Sequence, residues 1–226
     1  TALTIWNHLA GGEMLGRRFC VAVLSVVMML GVSAVTQDEK NEIGGIIGRT
    51  FISDQGLKGA TFFDPVIHSG NGLSFNVEYG RRLFVAPIYS VSGEVVAMYN
   101  PDEDLNGGAY GFAVVPSDYK QLFVTPAVRV NLFPTTAVSP WASFGGGFGH
   151  FSEGKILDYG GANPGKSTTT GVIQGGIGLD VKAWRKLSIR FETRDFWSGV
   201  PDFPLASTGK SRQHNFFVGG GAFWRF

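Results

Sequence analysis

From residue 35 onward the hydrophobic positions recur every second residue. In "LSFNVEYG", Leu73, Phe75, Val77 and Tyr79 are apolar, and Ser74, Asn76, Glu78 and Gly80 between them are small or polar. In "LFVTPAVRVNLF" the apolar set is Leu122, Val124, Pro126, Val128, Val130 and Leu132, opposed by Thr125, Arg129 and Asn131. Ile173, Ile177, Leu179 and Val181 oppose Gln174, Asp180 and Lys182, and Leu187, Ile189 and Phe191 oppose Ser188, Arg190, Glu192 and Arg194. Period two is the signature of a strand with two unlike faces. No apolar stripe at helical spacing persists for three turns. The pattern predicts eight strands, near 42–52, 72–83, 87–99, 119–133, 138–151, 169–183, 187–197 and 213–226.

The connections alternate in length. Those after the second, fourth and sixth strands ("GRRLFVA", "PTTA", "WRK") are short, and the others are long and polar. One rim of tight turns and one of long loops is the product of an up-and-down barrel. Alternation alone does not say which face is wet: a soluble barrel buries its apolar face, a transmembrane barrel exposes it to lipid. Composition separates the two. Only 16% of residues are charged, and Gly reaches 33. The polar face is built from Ser74, Gly80, Ser90, Ser92, Ser143, Gly145, Gly147, Gly176, Gly178, Gly219 and Gly221, where a water-facing surface would carry Lys and Glu. Small residues suit the crowded interior of eight strands. Aromatics gather at strand ends, with Phe84, Phe133, Trp184, Trp224 and Phe226 towards the short turns and Tyr99, Phe151 and Trp197 towards the long loops. Two such girdles belong at bilayer interfaces. The expected fold is all-β: an eight-stranded antiparallel up-and-down transmembrane β-barrel over 35–226.

The first 34 residues carry a different signal. Met14 is followed by Arg17-Arg18, an apolar run from Phe19 to Val32, and small residues ending at Ala34. This is the layout of an export signal over 14–34, cut after Ala34, with 1–13 as an upstream extension. The run is too short to span a bilayer as a helix. Cleavage removes Arg17, Arg18 and Glu13, taking the formal net charge from +1 to zero, and it removes the single cysteine, Cys20. A near-neutral chain carries no electrostatic footprint for nucleic acid.

The segment "FFVGGGAFWRF" places Phe216, Val218, Gly220, Ala222, Trp224 and Phe226 on one face. It resembles the C-terminal assembly signal of bacterial outer-membrane barrels: Phe226 is the terminal aromatic, Trp224 the hydrophobic residue two before it and Gly221 the glycine five before it. Gly219 stands where that signal usually has a polar residue. With "VEYGRRL" and "IRFETRDFW", the chain resembles the small eight-stranded barrels of the outer-membrane protein A type. The resemblance implies a monomer in the outer membrane, surrounded by lipid and lipopolysaccharide, inserted by the barrel assembly machinery, and without a cofactor.

Four motifs suggest chemistry. "GGANPGKST" matches a nucleotide-binding phosphate loop at Gly160, Gly165, Lys166 and Ser167, but "TTTGVIQGGIGLDV" after it is strand-forming, and the motif needs a helix there. Asp102, Asp104, Asn106 and Gly107 resemble the first half of an EF-hand loop, yet Ala113 occupies the twelfth position, which requires Glu; an acidic loop without metal is expected. His150 and Ser152 resemble the His-x-Ser pair of outer-membrane lipid A deacylases, with no outward carboxylate evident to orient the histidine. The fourth set is the lumen charges Glu78, Glu94, Arg129, Asp180, Lys182, Arg190, Glu192, Arg194 and Arg225, which must pair inside a narrow barrel. A three-residue turn at 184–186 sets Asp180 opposite Arg190, Leu179 opposite Phe191 and Val181 opposite Ile189. As an isolated pair, Asp180 and Arg190 would couple fully, so that Arg190→Ala adds little once Asp180 is Ala. The expected role is non-enzymatic, structural or surface-binding, through loops near 53–71, 100–118, 152–168 and 198–212, with Phe62 and Phe63 offering apolar contacts. A lipid A hydrolase and a small channel are the alternatives.

Overall fold

Ten strands and no helix make up the computed structural model, which describes residues 39–56, 66–69, 71–107, 116–157, 160–165, 167–201 and 212–226. The expected export signal at 14–34, the expected upstream extension at 1–13, Phe62, Phe63 and Lys166 lie outside the described residues. The strands are β1 (Asn41–Ile52), β2 (Gln55–Gly56), β3 (Val66–Ser69), β4 (Asn71–Val85), β5 (Tyr89–Gly107), β6 (Asp118–Leu132), β7 (Val138–Glu153), β8 (Ser167–Lys182), β9 (Leu187–Gly199) and β10 (Arg212–Arg225). Eight of them, β1 and β4 to β10, pair antiparallel in sequence order. Pairing of β1 with β10 and of β5 with β6 leaves no free edge in the ring.

Each long strand coincides with a predicted one to within a few residues, except at the long-loop rim. There β5 runs on to Gly107, pairing Glu103 with Tyr119 and Asp104 with Asp118 on β6, and Leu105 to Gly107 with β3. Pro101, Asp102 and Asn106 are turn formers by local preference. A register shift between Asn100 and Glu103 absorbs Pro101 and Asp102, and cross-strand partners, His68 for Asn106 among them, then hold the chain extended. The expected 100–118 loop is shorter by that amount, and the expected 53–71 loop contains β2 and β3.

Closure rests on glycine at two places. On β1, Gly44, Gly45 and Gly48 pair with Phe223, Ala222 and Gly219 of β10, and Gly220 and Gly221 of β10 pair with Ile47 and Ile46. A Cβ on Gly221 would collide with the Gly45 carbonyl oxygen and the Ile46 Cα, so the two backbones approach more closely than any side chain permits. On β6, Pro126 has no amide to donate, and the pairing with β7 is interrupted between Val124–Phe148 and Ala127–Gly145. Gly145 and Gly147 lie directly against the Pro126 and Val124 carbonyls there.

A ring hydrogen-bonded on both sides of every long strand opens only as a unit. The folded protein is therefore expected to resist SDS until boiled and to migrate differently before and after. Identical migration would contradict closure.

Candidate functional site

The inward face divides along the axis. In the half nearest the short turns, four buried guanidiniums meet five buried carboxylates. Arg190 is the hub. Its Nε and Nη2 donate to Asp180 at 2.7 and 2.9 Å, Nη1 to Glu78 at 2.7 Å, and Nη2 also to Glu42 at 2.8 Å. Arg194 reaches Glu78 at 2.8 Å, Glu94 at 2.9 Å and Glu192 at 3.1 Å. Arg129 bridges Glu42 and Glu94, and Arg225 bridges Glu42 and Asp180. Asn76 Nδ2 donates to both Glu78 and Glu192 at 2.7 Å, which ties two like charges to one donor. Trp141 presents its ring to Arg129, Arg190 and Arg194, with guanidinium carbons 4.9–5.7 Å from its centroid, and Arg190 lies 3.8 Å from the Phe223 centroid.

The eight lumen charges read from the sequence as an ion-pair network (Glu78, Glu94, Arg129, Asp180, Arg190, Glu192, Arg194, Arg225) all sit in this cluster. Lys182, the ninth, is half-buried at the mouth. Glu42, which bridges three of the four guanidiniums, was not among them. It shares parity with Gly44, Ile46, Gly48 and Thr50 on the inward face of β1, and that parity was the available signal. The β8–β9 register is the one the short turn implies: Asp180 opposite Arg190, Leu179 opposite Phe191, Val181 opposite Ile189. The energetic expectation attached to it changes, because Arg190 keeps Glu42 and Glu78 when Asp180 is lost.

In the half nearest the long loops an aromatic cluster fills the lumen beside buried polar side chains that include Asn100, Gln121, Ser198, Gln213 and Asn215. Tyr119, Phe123, Phe151, Phe196 and Phe217 are buried with Met98 and Val172. Phe123 stacks on Phe196 at 5.1 Å and meets Phe151 edge-on at 5.7 Å. Phe151, expected in an outer girdle, is therefore an interior residue. It has the parity of Trp141 and Ser143, which point inward.

The outer wall is the reverse of a soluble surface. Ile47, Leu83, Phe144 and Ile177 are each 60–69% exposed, and Phe75, Val77, Val128, Leu179, Phe191, Phe216 and Val218 continue the belt around the ring. An apolar surface of this extent is stable only against hydrocarbon. The same fold occurs in the crystal structure of Neisserial surface protein A (12% identity, covering 82% of this chain and 97% of that one, TM-score 0.53). It occurs also in that of the outer membrane protein OprG from Pseudomonas aeruginosa (13% identity, 84% and 97%, TM-score 0.50). The chain has the fold of the small eight-stranded outer-membrane β-barrels. No family model matches it, and no curated protein matches its sequence.

On the outside of the barrel, His150 faces outward with Phe144 and Phe148, and Ser152 is exposed beside it. The His150 ring bonds to Thr169 Oγ1 at 2.9 Å rather than to a carboxylate. The outward carboxylate lies elsewhere: Asp195 Oδ2 is 2.7 Å from Nδ1 of His214, on the β9–β10 wall. His214 stacks on Trp197, whose ring also lies 5.2 Å from Arg212. The only described hydrogen-bonding partner of the His214 ring is Asp195. Among the phosphate-loop residues, Gly160 and Gly165 adopt positive φ (92° and 62°), and Ser167 opens strand β8. A strand presents no helix N-terminus to a phosphate. Asp102, Asp104 and Asn106 lie on the paired, extended backbone of β5, not in the wrapped loop that an EF-hand requires. Among the described residues no group of three or more acidic, His or Cys side chains is placed to hold a metal.

Proposed function

We propose that the barrel is a non-enzymatic scaffold, closed to transport, that works through its long-loop rim and the lipid around it. The observation that carries this reading is the filling of the lumen. The ion network and the aromatic cluster succeed each other along the axis, and two voids among the described residues at the short-turn mouth measure about 10 Å³ each, room for about one water. A permeating ion would have to separate Arg190 from three carboxylates and then displace stacked rings. Support against a lipid A hydrolase is local: the His150 ring is bonded to Thr169 Oγ1 and not to a carboxylate. The long connections near 53–71, 100–118, 152–168 and 198–212 then form the surface presented to ligands or partners, and lipopolysaccharide is the lipid that surrounds that rim.

Two measurements test this. The purified barrel in planar bilayers is expected to give no conductance steps; steps that vanish after heat denaturation would overturn the closed-lumen reading. Mass spectra of lipid A from cells with and without the protein are expected to coincide. A lost acyl chain would assign the outer wall a catalytic role instead.

A further inference from the structure

The short-turn end of the barrel is strongly basic. Lys40, Arg81, Arg82, Lys182, Arg185 and Lys186 surround it, with Glu39 the one described acidic side chain there outside the lumen network. Two of these cations belong to a defined feature. The turn between β8 and β9 is closed by hydrogen bonds from the amides of Ala183 and Trp184 to the Leu187 carbonyl, at 3.0 and 2.9 Å. The Arg225 amide donates to the Lys186 carbonyl at 2.8 Å, which fixes the turn beside the end of β10. Trp184 is 80% exposed and Trp224 51%. Between the two rings lies an open cleft of about 630 Å³, lined by Trp184, Arg185, Lys186, Leu187 and Trp224. Among the described residues the side chains of Arg185 and Lys186 form no ion pair.

We propose that this cleft binds one anionic phospholipid, of the phosphatidylglycerol type, from the leaflet that meets the short turns. Arg185 and Lys186 contact the phosphate. Trp184 and Trp224, amphipathic rings suited to the headgroup level, flank the glycerol and the first methylenes. Leu187 continues the wall towards the chains. The charge selects the headgroup. A zwitterionic lipid brings an ammonium as well as a phosphate, and no carboxylate lines the cleft to receive it, while the surrounding basic residues repel it. The inference is independent of whether the lumen conducts or the loops bind a partner.

The test uses the folded barrel in uncharged detergent, titrated with phosphatidylglycerol or phosphatidylcholine of identical chains and read by native mass spectrometry. Wild type is expected to prefer phosphatidylglycerol, and R185Q/K186Q to lose about thirtyfold in affinity for it at low ionic strength, from roughly five- to sixfold per cation near a charged surface. The wild-type preference is expected to shrink in salt, because exposed charges are screened over about 10 Å at 0.1 M. Trp184→Ala is expected to weaken both lipids alike. SDS-gel mobility before boiling checks that each variant is folded; if the double variant does not fold, the salt titration of wild type carries the test. Equal affinity of wild type for the two lipids would overturn the proposal, as would a preference that survives R185Q/K186Q or one that salt leaves unchanged. Lipid A, whose phosphates belong to the other leaflet, is the competing source: if the double variant loses lipid A binding and keeps phosphatidylglycerol, the cleft has been assigned to the wrong lipid.

Discussion

Gly221→Ala is expected to reduce refolding into protein-free lipid vesicles from nearly complete to a small minority of the chain. The reason is steric. A Cβ at this position meets backbone on the neighbouring strand, the Gly45 carbonyl oxygen and the Ile46 Cα, and backbone in a closed ring cannot swing aside as a side-chain end can. Ordinary overpacking costs about 1–3 kcal/mol when side chains can give way, and here the seam between β1 and β10 would have to separate. Gly171→Ala is the matching control: nothing lies within 4 Å of its added Cβ, so it should refold like wild type. The experiment also separates two readings of Gly221. As part of an assembly signal with Trp224 and Phe226 it would matter only where assembly machinery reads it. As a close-approach glycine it matters in pure lipid. Normal refolding of Gly221→Ala in vesicles would remove the steric account and leave recognition.

The second large effect is expected at Arg190. Arg190→Ala strips a guanidinium from Glu42, Glu78 and Asp180 at once, inside a lumen where all three are buried. Breaking a buried ion pair by removing one partner costs about 3–5 kcal/mol, because the other charge is left uncompensated. The urea midpoint for loss of the SDS-resistant form should fall sharply. Asp180→Ala should cost less, since Arg190 keeps two carboxylates and Arg225 keeps Glu42. The double variant should be less destabilised than the sum of the singles yet clearly worse than Asp180→Ala alone. If Arg190→Ala added nothing in the Asp180→Ala background, the contacts to Glu42 and Glu78 would carry no energy and the network would reduce to one pair. Arg190→Lys should fall between, because one ammonium does not reproduce a planar fork aimed at three carboxylates.

Much of this architecture could be read from the chain because a barrel of eight strands is written in short-range terms. Strict alternation in "LSFNVEYG" and "LSIRFETR" sorts the side chains into two faces, and the scarcity of charge on the polar one assigns the apolar face to lipid. The tight turn at 184–186 then fixes the register of β8 against β9 without further information, and Asp180 meets Arg190 as a consequence. The misses share a cause. Phe151 was placed by its residue type at a strand end, although its parity with Ser143 points it inward. The run from Pro101 to Asn106 was read as loop because its residues favour turns, and only partners on β3 and β6 keep it extended. His150 drew attention for its spacing to Ser152, while the histidine that has a carboxylate, His214, depends on Asp195 of a different strand.

By itself the sequence determined the eight strands of the ring, their order and the two kinds of connection, since these follow from a repeat of two and from turn lengths, and its composition determined the inside-out placement of apolar side chains. The tertiary structure decided which inward residues meet across the lumen. Glu42 reaches Arg129, Arg190 and Arg225, and Phe123 stacks on Phe196, only because the ring has a particular circumference and stagger. Those distances are set by closure, which is a property of all eight strands together and of no segment of the chain.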